Sequence, residues 1–245
     1  MPSEVFPLPV SLDFSRRAQL TELIDEPCTR DELRSCLRDV SRLNRWFRAW
    51  PPLFRWLDTF IPASLSQPLR IVDVGCGNGD ALRRIEGWAA RHHIAVELTG
   101  VDINPDAIAI AEELAPATRS IRWVASDIFA FTPDRRVHLV FSTIFTHHLV
   151  DRDVVRFLGW MEQHAALGWF INDLSRALIP YHLLHLFAKL ARLHPFVQHD
   201  GPVSIARAFV VEDWQRLCAA AGLDTQAVSI QPSVPARICV ARRKL

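Results

Sequence analysis

The chain alternates between short apolar runs and longer amphipathic stretches from residue 69 onward. Continuous apolar runs are typical of strands buried on both faces, and apolar residues at helical spacing are typical of helices packed on a sheet. Strands are predicted at residues 69–74, 96–101, 121–124, 137–141 and 169–173, followed by a hairpin of 228–230 and 237–240. Because strands alternate with helices, the pattern predicts an α/β fold whose sheet is largely parallel.

Helical spacing also covers residues 15–60. We therefore predict a helical N-terminal cap, residues 1–65, on an α/β domain of residues 66–245. Thr29 with Glu32 three positions later is a capping-box signature that predicts a helix start. Aromatic residues crowd the end of the cap: Trp46, Phe47, Trp50, Phe54, Trp56 and Phe60. They fit two interpretations equally, a helical pair with its own core or a hydrophobic cover over a substrate pocket.

Glycines at 75, 77 and 79 follow the first predicted strand, and a helical stretch begins directly after them. A strand, a glycine-rich turn and a helix make a nucleotide-binding turn, because glycine lets main-chain amides approach a ligand closely. The spacing G-x-G-x-G differs from the dinucleotide pattern G-x-G-x-x-G, and no G-x-x-x-x-G-K-[ST] is present. Asp73 and Asp80 beside the turn would repel a pyrophosphate but suit a ligand that carries an amine and a sulfonium.

The acid followed by x-G-x-G-x-G, from Asp73 to Gly79, resembles the first motif of the class I S-adenosylmethionine-dependent methyltransferases. The resemblance extends over residues 69–240. It implies a Rossmann-like, seven-stranded methyltransferase sheet whose last strand enters antiparallel between the fifth and the sixth. It also implies S-adenosyl-L-methionine as the cofactor and methyl transfer as the reaction.

The same resemblance assigns cofactor-binding roles to individual residues. Asp102, at the end of the second strand, would accept hydrogen bonds from both ribose hydroxyls, and Asp127, after the third strand, would accept from the adenine amine. The other expected cofactor contacts are Asp73, Gly75, Cys76, Gly77, Gly79, Ile103, Ile128 and Ser142. Two alternatives stay open: Asp102 could cap the helix that begins near Asn104, and Asp127 could cap a turn.

The candidate catalytic residues are histidines, of which His147 and His148 follow the fourth predicted strand, where open α/β sheets bind their ligands. We rank His148 first as a general base, with His147 and His199 behind it, because a neutral imidazole can take a proton from a hydroxyl group. His199 adjoins Asp200 in a predicted turn, and His148 could instead be a packed or helix-capping residue. The order Asn-Asp at the end of the fifth strand differs from the Asp-Asn pair of metal-dependent catechol methyltransferases, so no metal site is predicted.

Residues 175–208 are predicted to form a helical lid insertion, of which 175–193 is strongly amphipathic and 194–208 irregular. One face of the amphipathic part carries His182, His185, Lys189 and Arg192. This helix could be a surface helix on a core, a lid over an apolar pocket, a homodimer surface, or a contact with lipid or membrane. As a lid it would complete an apolar wall made of Trp46, Trp50, Trp56, Leu183, Phe187 and Leu190.

A narrower resemblance is to small-molecule methyltransferases of bacterial natural-product pathways, including those that methylate phenolic lipids and polyketides. It rests on the helical cap and on the runs T-H-H-L at 146–149, N-D at 172–173 and H-D-G-P at 199–202. It implies methylation, preferably O-methylation, of a small apolar acceptor that is phenolic or polyketide-derived. Two alternatives stay open: C-methylation of a quinol or aromatic ring, and cofactor binding without turnover.

Composition restricts the classes of partner and the cellular compartment that the sequence predicts. Lys and Arg together number 28 against 27 for Asp and Glu, so the near-neutral balance gives no sign of a nucleic-acid surface. The five cysteines are odd in number and form no C-x-x-C pair, which favours a reducing compartment over a disulfide framework. The N-terminus lacks a signal-peptide pattern, and no apolar run reaches the ~18 residues of a spanning helix. These features predict a cytoplasmic enzyme without nucleic-acid partners.

Overall fold

The computed structural model describes residues 12–61, 67–115 and 121–244. Its strands are β1 (Leu69–Val74), β2 (Val96–Asp102), β3 (Ile121–Ala125), β4 (Val137–Thr143), β5 (Ala165–Leu174), β6 (Val228–Ser233) and β7 (Arg237–Arg243). Its helices are α1 (Arg30–Trp46), α2 (Pro51–Asp58), α3 (Asp80–Arg91), α4 (Pro105–Leu114), α5 (Asp151–His164), α6 (Leu178–Leu190), α7 (Pro195–Arg207) and α8 (Val211–Ala220). Short 3-10 turns lie at Leu23–Asp25 and Thr146–His148.

In the described residues the strands form one sheet in the order β3-β2-β1-β4-β5-β7-β6. Strands β1 to β5 pair in parallel, whereas β7 runs antiparallel to both of its neighbours, β5 and β6. The predicted seven-stranded sheet, with its last strand between the fifth and the sixth, is therefore confirmed. The strand order reverses at β1, where Val74 lies opposite Val101 of β2 and Ser142 of β4. Ligands of open α/β sheets bind at such a reversal.

Helices cover both faces of the sheet, and each face has its own apolar core. On one face, α5 and α8 bury Phe157 and Trp214 against the sheet. On the other face, α2 and α3 bury Leu57 and Ile85 against it. Because α2 belongs to this sheet core, the aromatic end of the predicted cap is an integral layer of the fold. The predicted boundary between residues 65 and 66 lies outside the described residues.

The segment before α1 is not the helix that the spacing predicted. Residues 15–29 are mostly extended or turn, with one short 3-10 turn at Leu23–Asp25. A side chain from far along the chain holds this segment: the carboxylate of Asp200 accepts hydrogen bonds from the backbone N–H groups of Leu23 and Ile24 at 2.8 and 3.0 Å. The predicted capping box of Thr29 is confirmed and starts α1 directly afterwards.

Residues 195–207 form α7, so the prediction of an irregular segment is wrong. Pro195 occupies the first turn, where its fixed φ suits a helix and its missing N–H is not needed. Val197, Val203 and Ile205 are buried along the helix. Packing against α1 and α6 therefore outweighs the helix-breaking effect of the internal Gly-Pro pair. The H-D-G-P run lies inside a buried helix rather than in a turn.

A substitution at Gly79 tests how closely the glycine turn packs against Trp123. Its φ is +73°, and a Cβ at this position would lie 2.1 Å from the ring of Trp123. Gly79→Ala is expected to lower the free energy of unfolding by about 2–4 kcal/mol, because both the left-handed backbone and the aromatic contact oppose a side chain. Equilibrium unfolding in urea measures this change.

Gly159→Ala is the matched control, since Gly159 lies inside α5 with no described atom within 4 Å of its Cβ position. This variant is expected to be more stable than the wild type by about 0.5–1 kcal/mol. Equal stability of the Gly79 and Gly159 variants would contradict the packing of the turn.

Candidate active site

Two adjoining cavities open at the edge of the sheet where β1, β2 and β4 end. The first cavity has an empty volume of about 1230 Å³, counting its open mouth, and lies over the glycine turn and the ends of β2 and β3. Its polar lining includes Gly75, Gly77, Asp102, Asn104, Ser126 and Asp127. Its apolar lining includes Ile24, Leu33, Leu37, Ile103, Ile128 and Phe145. Gly79 is absent from the lining of both cavities in the described residues and lies against Trp123.

The carboxylate of Asp102 is oriented by the backbone on either side of it. One oxygen accepts a hydrogen bond from the N–H of Gly77 at 2.8 Å, and the other accepts from the N–H of Asn104 at 2.9 Å. Burial raises the pKa of Asp102 despite these two bonds. Each oxygen keeps a lone pair for a further donor, so the side chain can accept two vicinal hydroxyl groups. Asn104, rather than Asp102, is the N-cap of α4.

Asp127, Ile128 and Ile103 line another part of the first cavity. Asp127 is exposed, and its Oδ1 accepts a hydrogen bond from the backbone N–H of Phe129 at 2.9 Å. The side chain of Ile103 is 71% exposed, whereas Ile128 is buried. An exposed apolar side chain beside carboxylate acceptors suits a purine ring, which needs apolar contact at its face and acceptors at its amine.

Three other predicted cofactor residues have different surroundings. Asp73 is buried, and neither of its carboxylate oxygens has a hydrogen-bond partner among the described residues. Burial and the nearby charge of Asp102 raise the pKa of Asp73 well above its usual value, which favours the neutral acid. Ser142 donates to the carbonyl of Val74 at 2.8 Å inside the sheet. Cys76 lines the second cavity, and burial raises the pKa of its thiol.

The second cavity has an empty volume of about 1070 Å³, counting its mouth, and is lined by residues of α1, α6, α7 and the glycine turn. Its apolar lining includes Val40, Leu43, Phe47, Trp50, Leu184 and Val197. Its polar lining includes Glu22, Asn44, His147, His148, Asp200 and Arg237. Both cavities share Ile24, Leu37, Gly75, Gly77, Ile144 and His148. Among these shared residues only His148 has an ionisable side chain.

His147 is buried and held by Asp173 at the end of β5. Its backbone N–H and its ring Nδ1 lie 2.9 and 2.7 Å from the carboxylate oxygens, and Thr146 and Leu174 donate to the same carboxylate. Burial alone would raise the pKa of Asp173, but the charge and hydrogen bonds of His147 outweigh it and hold that pKa well below its usual range. The ionised carboxylate accepts the Nδ1–H of His147, which turns Nε2 toward Glu22.

The Nε2 atoms of both histidines lie close to Glu22. Nε2 of His147 is 3.7 Å from Oε1 of Glu22, and Nε2 of His148 is 3.8 Å from Oε2. Nδ1 of His148 lies 3.1 Å from Oδ1 of Asp25. Burial raises the pKa of Glu22 to about 7, against the opposing charges of His148 and Arg207. A carboxyl group with this pKa beside two imidazoles can hold or release a proton near neutral pH.

Glu22 is the site residue that the sequence did not indicate. It lies in the non-helical segment before α1, far from the two histidines in sequence. Helix α7 sets its position, because Asp200 binds the amides of the two residues that follow Glu22, and Ser204 donates to its Oε2 at 2.9 Å. The available signal was the H-D-G-P run, whose acid orients this segment.

His199 lies on α7, and its Nδ1 is 2.8 Å from Oδ1 of Asp200. Within the described residues it is absent from the lining of both cavities. The predicted catalytic role of His199 was based on a turn, but the residue lies within a helix.

Glu22, His147 and His148 also form the group of potential metal ligands found in the described residues, with ligand atoms within 4.8 Å of one another. The guanidinium of Arg207 lies 3.3 Å from Oε1 of Glu22 and 3.3 Å from Oδ2 of Asp25. This fixed positive charge opposes a divalent cation at the same oxygen. The arrangement therefore favours a cluster that shares protons.

Residues 71–168 match the family model of the methyltransferase domain. The chain contains a methyltransferase domain at these residues. The predicted family and cofactor are thereby confirmed.

Solved structures share the fold of this methyltransferase domain at low identity. One is the plantazolicin methyltransferase BpumL with S-adenosylhomocysteine and a pentazolic desmethylPZN analog, with 13% identity over 90% of this chain and 98% of that one and a TM-score of 0.59. Human N-acetylserotonin methyltransferase with S-adenosylmethionine has 16% identity over 71% and 47%, with a TM-score of 0.50. A pericyclic-reaction enzyme has 13% identity over 77% and 47%, with a TM-score of 0.54.

The apolar wall predicted for the acceptor pocket of the methyltransferase domain is partly wrong. Trp50 lines the second cavity as expected, but Trp56 stacks on Phe170 in the sheet core, with ring centroids 5.3 Å apart. From α6 it is Leu184 that lines the cavity, whereas Leu183 is 61% exposed. The reason is the helical form of α7, which packs on α6 and covers the face that carries Leu184.

The outer face of α6 is apolar as well as basic. More than half of the surface is exposed in Leu178, Ile179, Leu183, Leu186 and Leu190. A homodimer surface or a lipid contact at α6 stays a prediction. None of the described helices combines the length and the apolar character needed to cross a membrane.

Glu22→Gln tests the buried proton of the cluster. The pKa of Glu22 is about 7 in the folded protein against 4.5 for the ordinary group. Between these two pKa values Glu22 is protonated in the folded state and ionised in the unfolded state. Its stabilising contribution to the free energy of unfolding is therefore full below about pH 4.5 and is lost as the pH rises through about 7. From pH 5 to pH 8 the wild type is expected to lose about 2–3 kcal/mol of unfolding free energy that Glu22→Gln retains.

Urea unfolding at several pH values measures the difference. Glu26→Gln is the control, because Glu26 is an exposed glutamate in the same segment and should leave the pH dependence of the wild type unchanged. If Glu22→Gln and the wild type show the same pH dependence, Glu22 does not hold this proton.

Proposed function

We propose that the protein transfers a methyl group from S-adenosylmethionine to a hydroxyl group of a small, apolar, aromatic acceptor. The observation that carries the proposal is the shared lining of the two cavities at Gly75, Gly77, Ile144 and His148. A donor in the first cavity and an acceptor in the second would meet beside His148. Holding two reactants in this way supplies much of the rate of a displacement reaction.

The first cavity is the place for the cofactor, which supplies a methyl group on a cationic sulfur when it is bound. Asp102 has lone pairs for both ribose hydroxyls, each charged hydrogen bond contributing ~1.5–3 kcal/mol. Asp127 would accept a hydrogen bond from the adenine amine, and the exposed side chain of Ile103 would provide apolar contact for the purine. Gly75 and Gly77 have φ of +71° and +52° and leave the main chain open to the amino-acid end of the ligand.

The second cavity is the place for the acceptor. Phe47, Trp50 and Leu184 give it walls that suit an aromatic ring and exclude water. A phenolic hydroxyl has a reference pKa of about 10 and is mostly protonated at neutral pH. His148 takes this proton as the methyl group moves, which typically contributes ~10²–10⁴-fold in rate. Glu22 lies where it can receive the proton next.

The named substrates of similar proteins support a small acceptor rather than a nucleic acid. They are a plantazolicin analog and N-acetylserotonin. The near-neutral charge of the chain agrees with this class of acceptor. A pericyclic-reaction enzyme also shares the fold, so product identity is the decisive readout. A cytoplasmic role in natural-product synthesis is part of the proposal.

The test is incubation of the purified protein with methyl-labelled S-adenosylmethionine and a panel of phenols, quinols and aromatic carboxylic acids. Mass spectrometry is expected to find the labelled methyl group on an oxygen of at least one acceptor. Asp102→Asn is expected to raise the KM for the cofactor by about 10–100-fold, because one charged acceptor is lost.

Asp106→Asn is the control, since Asp106 is an exposed acid in the first turn of α4 and should keep the wild-type KM. Cofactor binding without a labelled product across the panel would favour the binding-only alternative. Label on carbon would replace O-methylation by C-methylation.

A further inference from the structure

Within the described residues, the second cavity is lined by a buried guanidinium that forms no ion pair. Arg237, at the start of β7, is 5% exposed and lines this cavity. Its Nη2 donates to Oδ1 of Asn44 at 2.9 Å, whereas Nη1 has no hydrogen-bond partner among the described residues. A buried guanidinium costs several kcal/mol unless an anion or several acceptors compensate it.

The acidic groups near Arg237 are already engaged elsewhere. The charge of Asp173 favours the charged form of Arg237, but its carboxylate already accepts hydrogen bonds from Thr146, His147 and Leu174. Each of the other acids that line the second cavity lies beside a basic side chain. The pairs are Asp80 with Arg84, Asp200 with His199 and Glu22 with Arg207. Burial lowers the pKa of Arg237 only to about 10, so the guanidinium is charged at neutral pH.

We propose that Arg237 binds a carboxylate of the acceptor, which makes the substrate an aromatic hydroxy acid. This inference rests on the proposed function, because it places a second polar group of the same acceptor in the same cavity. A guanidinium offers several N–H donors in a plane that matches the two oxygens of a carboxylate. The unpaired Nη1 is the donor that such an acceptor would satisfy.

His148 and Arg237 line the same cavity from two different parts of the sheet edge. His148 follows β4, Arg237 begins β7, and β5 lies between these two strands. Neighbouring strands are about 4.8 Å apart, so the backbones of β4 and β7 are separated by roughly 10 Å. Because both residues line the second cavity, an aromatic acceptor with a hydroxyl group on one side and a carboxylate on the other would place these two groups near His148 and Arg237.

The test is equilibrium binding in the presence of S-adenosylhomocysteine, which does not depend on turnover. The probes are 3-hydroxybenzoate and its neutral counterpart 3-hydroxybenzamide, each with and without a 5-pentyl chain, measured by calorimetry. The wild type is expected to bind the acid of a pair about 10–100-fold more tightly than the amide. Arg237→Gln is expected to bring this ratio close to one.

Asn44→Asp is a second variant that keeps the guanidinium and its contact. The new carboxylate would lie at the position that already accepts from Arg237 at 2.9 Å, so it pairs with Arg237 internally. The acid is then expected to lose its advantage over the amide. Arg38→Gln is the control, because the side chain of Arg38 is 69% exposed on α1, and it should keep the wild-type ratio.

Three results would overturn the inference: no binding of the acids to the wild type, equal binding of acid and amide, or a ratio that survives both Arg237→Gln and Asn44→Asp. A wild-type ratio that both variants abolish supports the carboxylate site even if methyl transfer to every acceptor fails. Failure of the proposed reaction is therefore distinguishable from failure of this inference.

Discussion

The arrangement of the candidate active site depends on the hydrogen bonds to the buried carboxylate of Asp173. It accepts hydrogen bonds from Thr146, from the backbone and the ring of His147, and from Leu174. A buried charge needs such compensation, because its desolvation costs several kcal/mol. These donors attach the turn after β4 to the end of β5. Because His148 directly follows His147, the contact between His147 and Asp173 also positions His148 where the two cavities meet.

The segment before α1 supplies the other side of the site. Arg17 donates to the carbonyls of His147 and Leu149 at 3.1 and 2.9 Å, and α7 holds the amides that follow Glu22. The contacts of Arg17 join this segment to the turn that Asp173 fixes, and the contacts of Asp200 join it to α7. The result is that Glu22, His147 and His148 form a cluster that borders both cavities and is mostly shielded from water, where electrostatic interactions are stronger than at the surface.

The sheet and the position of the acids that line the first cavity were predictable because their signals are local. Apolar runs locate the strands, and the acid at the end of a strand, such as Asp102, lies at the ligand-binding edge of any parallel sheet. Glu22 and Arg237 were not predictable, because single charged residues gain their roles from contacts across the fold. The H-D-G-P run was misjudged for a related reason: Gly and Pro favour a turn locally, but burial of α7 against two helices outweighs that preference.

The central claim, that His148 takes the proton of the acceptor, is tested by single-turnover methyl transfer to phenols of different acidity in the wild type and in His148→Gln. For a phenol of ordinary pKa, the wild type should react ~10²–10⁴-fold faster than the variant. For a nitrophenol that is already ionised at neutral pH, the two rates should approach each other. A constant ratio across the series would contradict the account, because His148 would then act by position and not as the base.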